Sequence, residues 1–73
     1  MSEMKMIPVV SSNIEGIGYS EDTQILRVEF LSGAIYEYKN VPIMEFEQLK
    51  NASSAGSYLH RNIKNNYPYE KVG

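Results

Sequence analysis

The sequence predicts an α+β domain: a three-stranded antiparallel meander, then two short helices packed on one face of it, with a further short strand available to the C-terminal tail. Three observations carry this. Leu26, Val28 and Phe30 alternate with Arg27 and Glu29, and after a Ser-Gly turn Tyr36 and Tyr38 alternate with Ile35, Glu37 and Lys39, a period-2 pattern with one apolar face. The period changes at Val41-Pro42, beyond which Ile43, Phe46 and Leu49 recur at helical spacing. A second helical stripe, Ala55, Leu59 and Ile63, follows at intervals of four.

The hairpin register follows from parity. A two-residue turn at Ser32-Gly33 would set Glu29 against Tyr36 and split the apolar set between two faces, and a buried face specifies register strongly. A three-residue loop, Leu31-Ser32-Gly33, instead sets Phe30 against Ala34, Val28 against Tyr36 and Leu26 against Tyr38. Gly33 then supplies the left-handed residue that such a loop needs. Upstream, residues 14–19 read as the first strand, with Ile17 and Tyr19 toward the core. Gly16 and Gly18 within it point to a bulge or a close approach of another backbone. A tight turn over residues 20–23 would place Tyr19 opposite Gln24 and Ile17 opposite Leu26. Residues 6–10, apolar around Pro8, suit an extended arm or an edge strand. Residues 1–5 carry no pattern and are expected to be disordered, leaving residues 6–73 as a single domain.

The helices are delimited by ordinary signals. Pro42 suits the first turn of the first helix, Glu45 lies near its N-terminus and Lys50 near its end at Asn51 or Ala52. Ser53 or Ser54 caps the second helix. Asn65-Asn66 in left-handed geometry, with Pro68 behind, would stop it. The tail YPYEKV can run back along the sheet.

Composition bounds the function. A chain of 73 residues is one domain, and at this length it buries only about 60% of its unfolded surface, too little to surround a pocket within its core. With no cysteine there is no disulfide, thiolate metal site or cysteine nucleophile. No apolar run reaches the ~20 residues of a membrane span, and the charged start MSEMKMIPVV is not a signal peptide. A cytoplasmic protein without membrane contact is expected. The single histidine has no visible partner or co-ligands, the serines form no nucleophile motif, and the acids form no pair placed for general acid–base work. No enzyme, cofactor or metal is expected.

The net charge of −2 disfavours a generic nucleic-acid binder, but the charges are unevenly spread. Residues 48–69 contain no acid, whereas Lys50, His60, Arg61 and Lys64 all fall there. At about 100° per residue, Ser57, His60, Arg61 and Lys64 occupy roughly one quadrant of the second helix, away from Leu59 and Ile63. This is either an ordinary solvated face or a phosphate-facing strip that Lys50 and the helix start at Ser53/Ser54 would extend. Tyr36 and Tyr38 are either stacking platforms for bases or core residues; because they share a face with Leu26, Val28 and Phe30, burial is expected, with the turn at Ser11-Ser12-Asn13 as one candidate partner for their hydroxyls. Tyr58, Tyr67 and Tyr69 are better placed for exposed stacking on bases.

The spaced pattern Ser12-Asn13-Ile14, Ile17-Gly18-Tyr19, Leu26, Val28, Phe30, Gly33, Tyr36, Tyr38 and Val41-Pro42, continued by Leu49, Ala52, Ser54, Gly56, Tyr58 and Ile63, resembles the KTSC domain. This short domain stands at the C-terminus of some lysyl-tRNA synthetases and also occurs free-standing. The resemblance spans about residues 8–70. It implies an accessory module and, through the synthetase linkage, RNA binding. Leu59, Lys64 and Ser20 depart from the family's common Phe, Arg and Asp, and a lysine cannot form the bidentate fork of an arginine. Two readings follow: weak binding of RNA or other nucleic acid through Lys50, Ser57, Tyr58, His60, Arg61 and Lys64, or protein–protein interaction through the helix pair or a sheet edge.

Overall fold

The alternation and the helical stripes resolve, in a computed structural model that describes residues 4–73, into a four-stranded antiparallel sheet of order β1-β2-β3-β4 roofed on one face by helices. The strands are β1 (Ile14–Ser20), β2 (Ile25–Phe30), β3 (Ile35–Tyr38) and β4 (Tyr69–Lys71). Between β3 and β4 come α1 (Ile43–Lys50) and α2 (Ala55–Tyr58), the latter continued without a break by a π-helical turn (Leu59–Ile63).

The β2–β3 hairpin has the register that parity requires: Leu26 faces Tyr38 and Val28 faces Tyr36. The Phe30 N–H donates to the Ala34 carbonyl at 2.9 Å, and Gly33 closes the three-residue loop at φ +97°. The β1–β2 register differs from the expected one by two residues. Ile17 lies opposite Val28 and Tyr19 opposite Leu26, because Ser20 pairs with Ile25 across a loop of residues 21–24 in which Gln24 takes φ 55°. A shift of two keeps every side chain on its face, so the core assignment is unaffected.

The glycines of β1 serve both purposes that the sequence left open. A bulge between Ile14 and Gly16 lets Ile14 oppose Phe30 while Ile17 opposes Val28, so two residues three apart share the core face. An arm formed by residues 4–9 then runs along the outer edge of β1. Ile7 and Ile17 exchange N–H···O bonds of 2.7 and 2.9 Å, and a Cβ at Gly18 would lie 2.6 Å from Met6 Sδ and 2.8 Å from Met4 Cγ. Of the N-terminal stretch expected to be disordered, residues 1–3 lie outside the described residues. At the opposite edge the tail forms β4, with Tyr69 opposite Tyr38 and Lys71 opposite Tyr36. Flanking bonds run from Lys39 N–H to the Pro68 carbonyl and from Ile35 N–H to the Gly73 carbonyl.

The core comprises Ile14, Ile17, Leu26, Val28, Tyr38, Val41, Leu49, Ala55, Leu59 and Ile63. The stripe expected on α1 is realised only in part: Leu49 is buried and Phe46 half-buried, but Ile43 is 40% exposed. Val41 fills the place instead. Asn40 turns the chain at φ 61°, Val41 N–H donates to the Gln24 carbonyl at 2.9 Å, and the Tyr19 hydroxyl donates to the Val41 carbonyl while its ring stacks on Phe46 at 5.1 Å. Pro42 is the N-cap of α1, one residue earlier than a first-turn position. The second helical segment does not end on a left-handed asparagine, since Gln24 and Asn40 are the non-glycine residues with positive φ among those described. It widens instead: Lys64 N–H reaches back five residues to the Leu59 carbonyl at 2.8 Å, and the Asn62 and Asn66 side-chain amides donate to the Tyr58 and Asn62 carbonyls, satisfying acceptors at the helix end.

Candidate nucleic-acid interface

The second helical segment sits over the sheet with Ala55, Leu59 and Ile63 buried. Its outer flank therefore carries Ser57, His60, Arg61 and Lys64, all exposed. Ser54 caps the segment by accepting from Ser57 N–H at 3.4 Å. The turn before β1 is fixed internally: the Ser11 hydroxyl donates to Asn13 Oδ1 at 2.9 Å and accepts from Ile14 N–H at 3.1 Å. No hydrogen bond runs from this turn to the Tyr36 or Tyr38 hydroxyl, so it does not supply the partner considered for them. It also abuts α2, where a Cβ at Gly56 would come within 2.7 Å of Asn13 Oδ1.

The six residues singled out from sequence do not form one surface. Ser57, His60, Arg61 and Lys64 share the flank. Lys50 lies on α1, with Nζ 3.0 Å from Glu47 Oε1 and 5.6 Å above the Phe46 ring. Tyr58 points the other way: it is half-buried, and its hydroxyl donates to Glu45 Oε1, while the Tyr67 hydroxyl donates to Glu45 Oε2 at 2.9 Å. Burial, reinforced by the bond to the Glu45 carboxylate, pushes the Tyr58 phenol up to about 12 and raises that of Tyr67 as well. Two tyrosines from either side of the π-helical turn are thus clasped onto α1 by a single carboxylate. Neither presents a free hydroxyl.

The aromatic face of the sheet is covered unevenly. Tyr38 is 3% exposed, and burial next to Tyr69 and Tyr36 raises its phenol. Tyr36 and Phe30, nearer the hairpin loop, are only half-buried, because the second helical segment does not extend over them. Tyr69, brought beside them by β4, is 52% exposed. Its ring centroid lies 5.6 Å from that of Tyr36 and 5.4 Å from that of Tyr38, and Tyr36 in turn meets Phe30 edge-on at 5.6 Å. Between this row and the π-helical turn runs an open groove of about 450 Å3, walled on the helix side by His60 and Lys64. It is a surface trough at the end of the sheet, which is how a chain with so small a core accommodates it. Tyr36, Asn13 and Lys71, which shares its side of the sheet with Tyr36, are the nearby groups that helical spacing could not have indicated.

On the other face of the sheet two ion pairs form. Arg27 Nε and Nη2 both reach Glu37 Oε2, at 3.0 and 2.5 Å, and Lys39 Nζ lies 3.4 Å from Glu70 Oε1. Among the described residues, no group of three or more His, Asp or Glu side chains could hold a metal ion, and no helix is long and apolar enough to cross a membrane.

A small antiparallel sheet with a helix pair on one face and a groove at the open end defines the class of the protein as a compact α+β module. The sequence profile of the KTSC domain matches residues 10–67, and the chain belongs to that family. A crystal structure of a KTSC domain protein from Yersinia pestis superposes with a TM-score of 0.91 at 32% identity, covering 97% of this chain and all of that one. The chain is also 46% identical over 61 residues to a lysine–tRNA ligase of Nostoc sp., and 37% identical over 70 residues to an uncharacterized protein of Stutzerimonas stutzeri. It spans 11% of the length of the ligase and 99% of that of the Stutzerimonas protein, so the same fold occurs as a segment of a larger enzyme and as a small protein.

Proposed function

We propose that this KTSC domain is a small non-enzymatic module that binds RNA weakly, through the flank formed by Ser57, His60, Arg61 and Lys64. The observation that carries the reading is the uneven pairing of charge. Arg27, Lys39 and Lys50 each lie within 4 Å of a carboxylate, whereas Lys5, Arg61, Lys64 and Lys71 have no acid partner among the described residues, and of these Arg61 and Lys64 stand exposed on one flank. Cations left unpaired beside one another in a chain of net charge −2 are available to phosphates. Similarity to a segment of lysine–tRNA ligases, enzymes named for an RNA substrate, points the same way.

Two phosphate contacts give a log–log salt slope of about −1.4 on a single strand, so binding is weak and serves an assembly in which other contacts add to it. The test is an NMR titration with an oligoribonucleotide at low and moderate salt. The Arg61 and Lys64 amides shift at low salt and recover at moderate salt, and the Arg61→Glu/Lys64→Glu double variant loses the interaction. Amides that stay in place at low salt, or binding that survives the double reversal, would remove the reading. The second reading, strand addition by a protein partner, rests on β4 as the outermost strand, exposed along its length. Three residues, two of them charged, offer few ladder bonds, which makes it the weaker of the two.

A further inference from the structure

We propose that the groove between the Phe30–Tyr36–Tyr69 row and the π-helical turn takes one unstacked nucleobase, with the ring on Tyr69 and Tyr36 and the adjoining phosphate on the Lys64 side. The inference rests on the RNA-binding reading and specifies its ligand: a single strand with a base free to leave its stack, not a duplex. Phosphate contacts on the helix flank alone would treat the two alike.

Six features place a base here. The rings are accessible where they need to be, with Tyr69 52% exposed and Tyr36 half-buried at the groove wall, and every base has a π-face to set against them. The rings of Tyr36 and Tyr69 are tilted by 47° rather than stacked, so Tyr69 is not capped by its neighbour. None of the eleven lining residues is Asp or Glu, whereas His60 and Lys64 stand on the opposite wall, so a phosphate leaving the groove meets the Lys64 ammonium and no carboxylate. Lys71, the register partner of Tyr36, projects from the same side of the sheet. The size agrees as well: about 450 Å3 is in the lower part of the roughly 300–1,000 Å3 range of small-ligand sites, enough for a base and its sugar. At the rim, Asn13 uses Oδ1 to accept from Ser11, which leaves its amide N–H2 to donate to a base edge.

The experiment compares octa-adenylate with an abasic ribose-phosphate octamer of equal charge, against the wild-type domain at low salt. Ring-proton and amide NMR signals are followed together with affinity. Octa-adenylate binds about tenfold tighter than the abasic chain, in line with the stacking contribution of one base, and shifts the Tyr36 and Tyr69 ring signals. Tyr69→Leu, which keeps a side chain suited to the edge strand, removes the tenfold difference, and Tyr69→Phe keeps it. Equal affinity for the two octamers, with only the Arg61 and Lys64 signals moving, overturns base insertion and leaves phosphate binding standing. Binding of neither octamer overturns both readings. The wild-type comparison needs no variant, so the outcome does not depend on how Tyr69→Leu folds.

Discussion

Replacing Gly16 by alanine tests what holds the N-terminal arm to the sheet. A Cβ at Gly16 would lie 2.9 Å from the Ile7 carbonyl oxygen and 3.5 Å from its carbon. The obstacle is backbone, which cannot rotate aside as a side chain can. The arm has to lift, and the Ile7–Ile17 bonds of 2.7 and 2.9 Å are lost with it. At about 1 kcal/mol per bond this costs about 2 kcal/mol, and alanine's advantage over glycine within a strand returns about 0.5–1 kcal/mol, for a net loss of about 1–1.5 kcal/mol. In a domain of this size that lowers Tm by about 4–12 °C. The assay pairs a thermal melt with hydrogen exchange at the Ile17 amide, whose bond to Ile7 is lost in the variant. Glu15→Ala, at the exposed residue of the same bulge, serves as the control and stays within about 0.5 kcal/mol of wild type. A Gly16→Ala protein that melts with the wild type and keeps its Ile17 amide protected would refute the close approach as the reason for glycine at this position.

Three further perturbations have definite signs. Ile63→Ala, at a fully buried position, costs about 2–5 kcal/mol, enough to unfold much of a domain whose whole stability is about 4–11 kcal/mol; a denaturant midpoint near that of wild type would contradict the core assignment. Glu45→Ala removes the acceptor of both Tyr58 and Tyr67 and costs about 1–3 kcal/mol by chemical denaturation. The same clasp governs behaviour in alkali. Because the folded Tyr58 phenol is raised to about 12 from an unfolded value of 10.0, its contribution is whole below pH 10 and is lost as pH rises toward 12. In Glu45→Ala the Tyr58 tyrosinate signal, resolved by NMR, moves to lower pH, and an unmoved midpoint would refute the coupling. Arg27→Ala costs less than about 1 kcal/mol despite its two contacts with Glu37, since the pair is partly exposed on the uncovered face; a larger loss would show that the ion pair organises the sheet.

The sheet was more legible in the sequence than the site, for a physical reason. Alternation fixes which face a side chain takes, so the β2–β3 register followed from parity once Gly33 was available for the loop. It does not fix offset along the strand. The β1–β2 pairing slipped by two because nothing in the turn residues marks Gln24 as the one that adopts positive φ. Ile43 and Val41 exchanged roles for a similar reason: helical spacing finds the stripe, but the turn at Asn40 decides which residue reaches the core first. On the second helix, spacing alone separated the buried Leu59 and Ile63 from the exposed His60, Arg61 and Lys64. Tyr58 passed as a surface aromatic because the carboxylate that clasps it lies thirteen residues upstream on another helix. The groove was out of reach for a stronger form of the same reason. Tyr36 and Tyr69 meet only through the β3–β4 pairing, whose strand signal is three residues long.

That groove follows from the economy of the roof. Four α-helical residues and a five-residue π-helical turn supply three buried side chains, Ala55, Leu59 and Ile63. Together with Leu49 from α1 they suffice to cover Ile17, Leu26, Val28 and Tyr38, all of which are buried, but not the Phe30–Tyr36 end of the sheet. A longer helix would bury that end and gain stability, closing the trough and covering Tyr69. A small residue at position 36 would leave nothing for a base to stack on. The aromatic side chains there are therefore large enough to shield one another, in the edge-on Phe30–Tyr36 contact and the tilted Tyr36–Tyr69 contact, while remaining half open to solvent. Filling the trough from within separates the two roles. Ala34→Leu, at a half-buried lining position beside the rings, adds apolar contact with Phe30 and Tyr36. It holds or raises the melting temperature while abolishing the preference for octa-adenylate over the abasic chain. A variant that is stabilised and still prefers the base would show that the trough is only an unfilled part of the core.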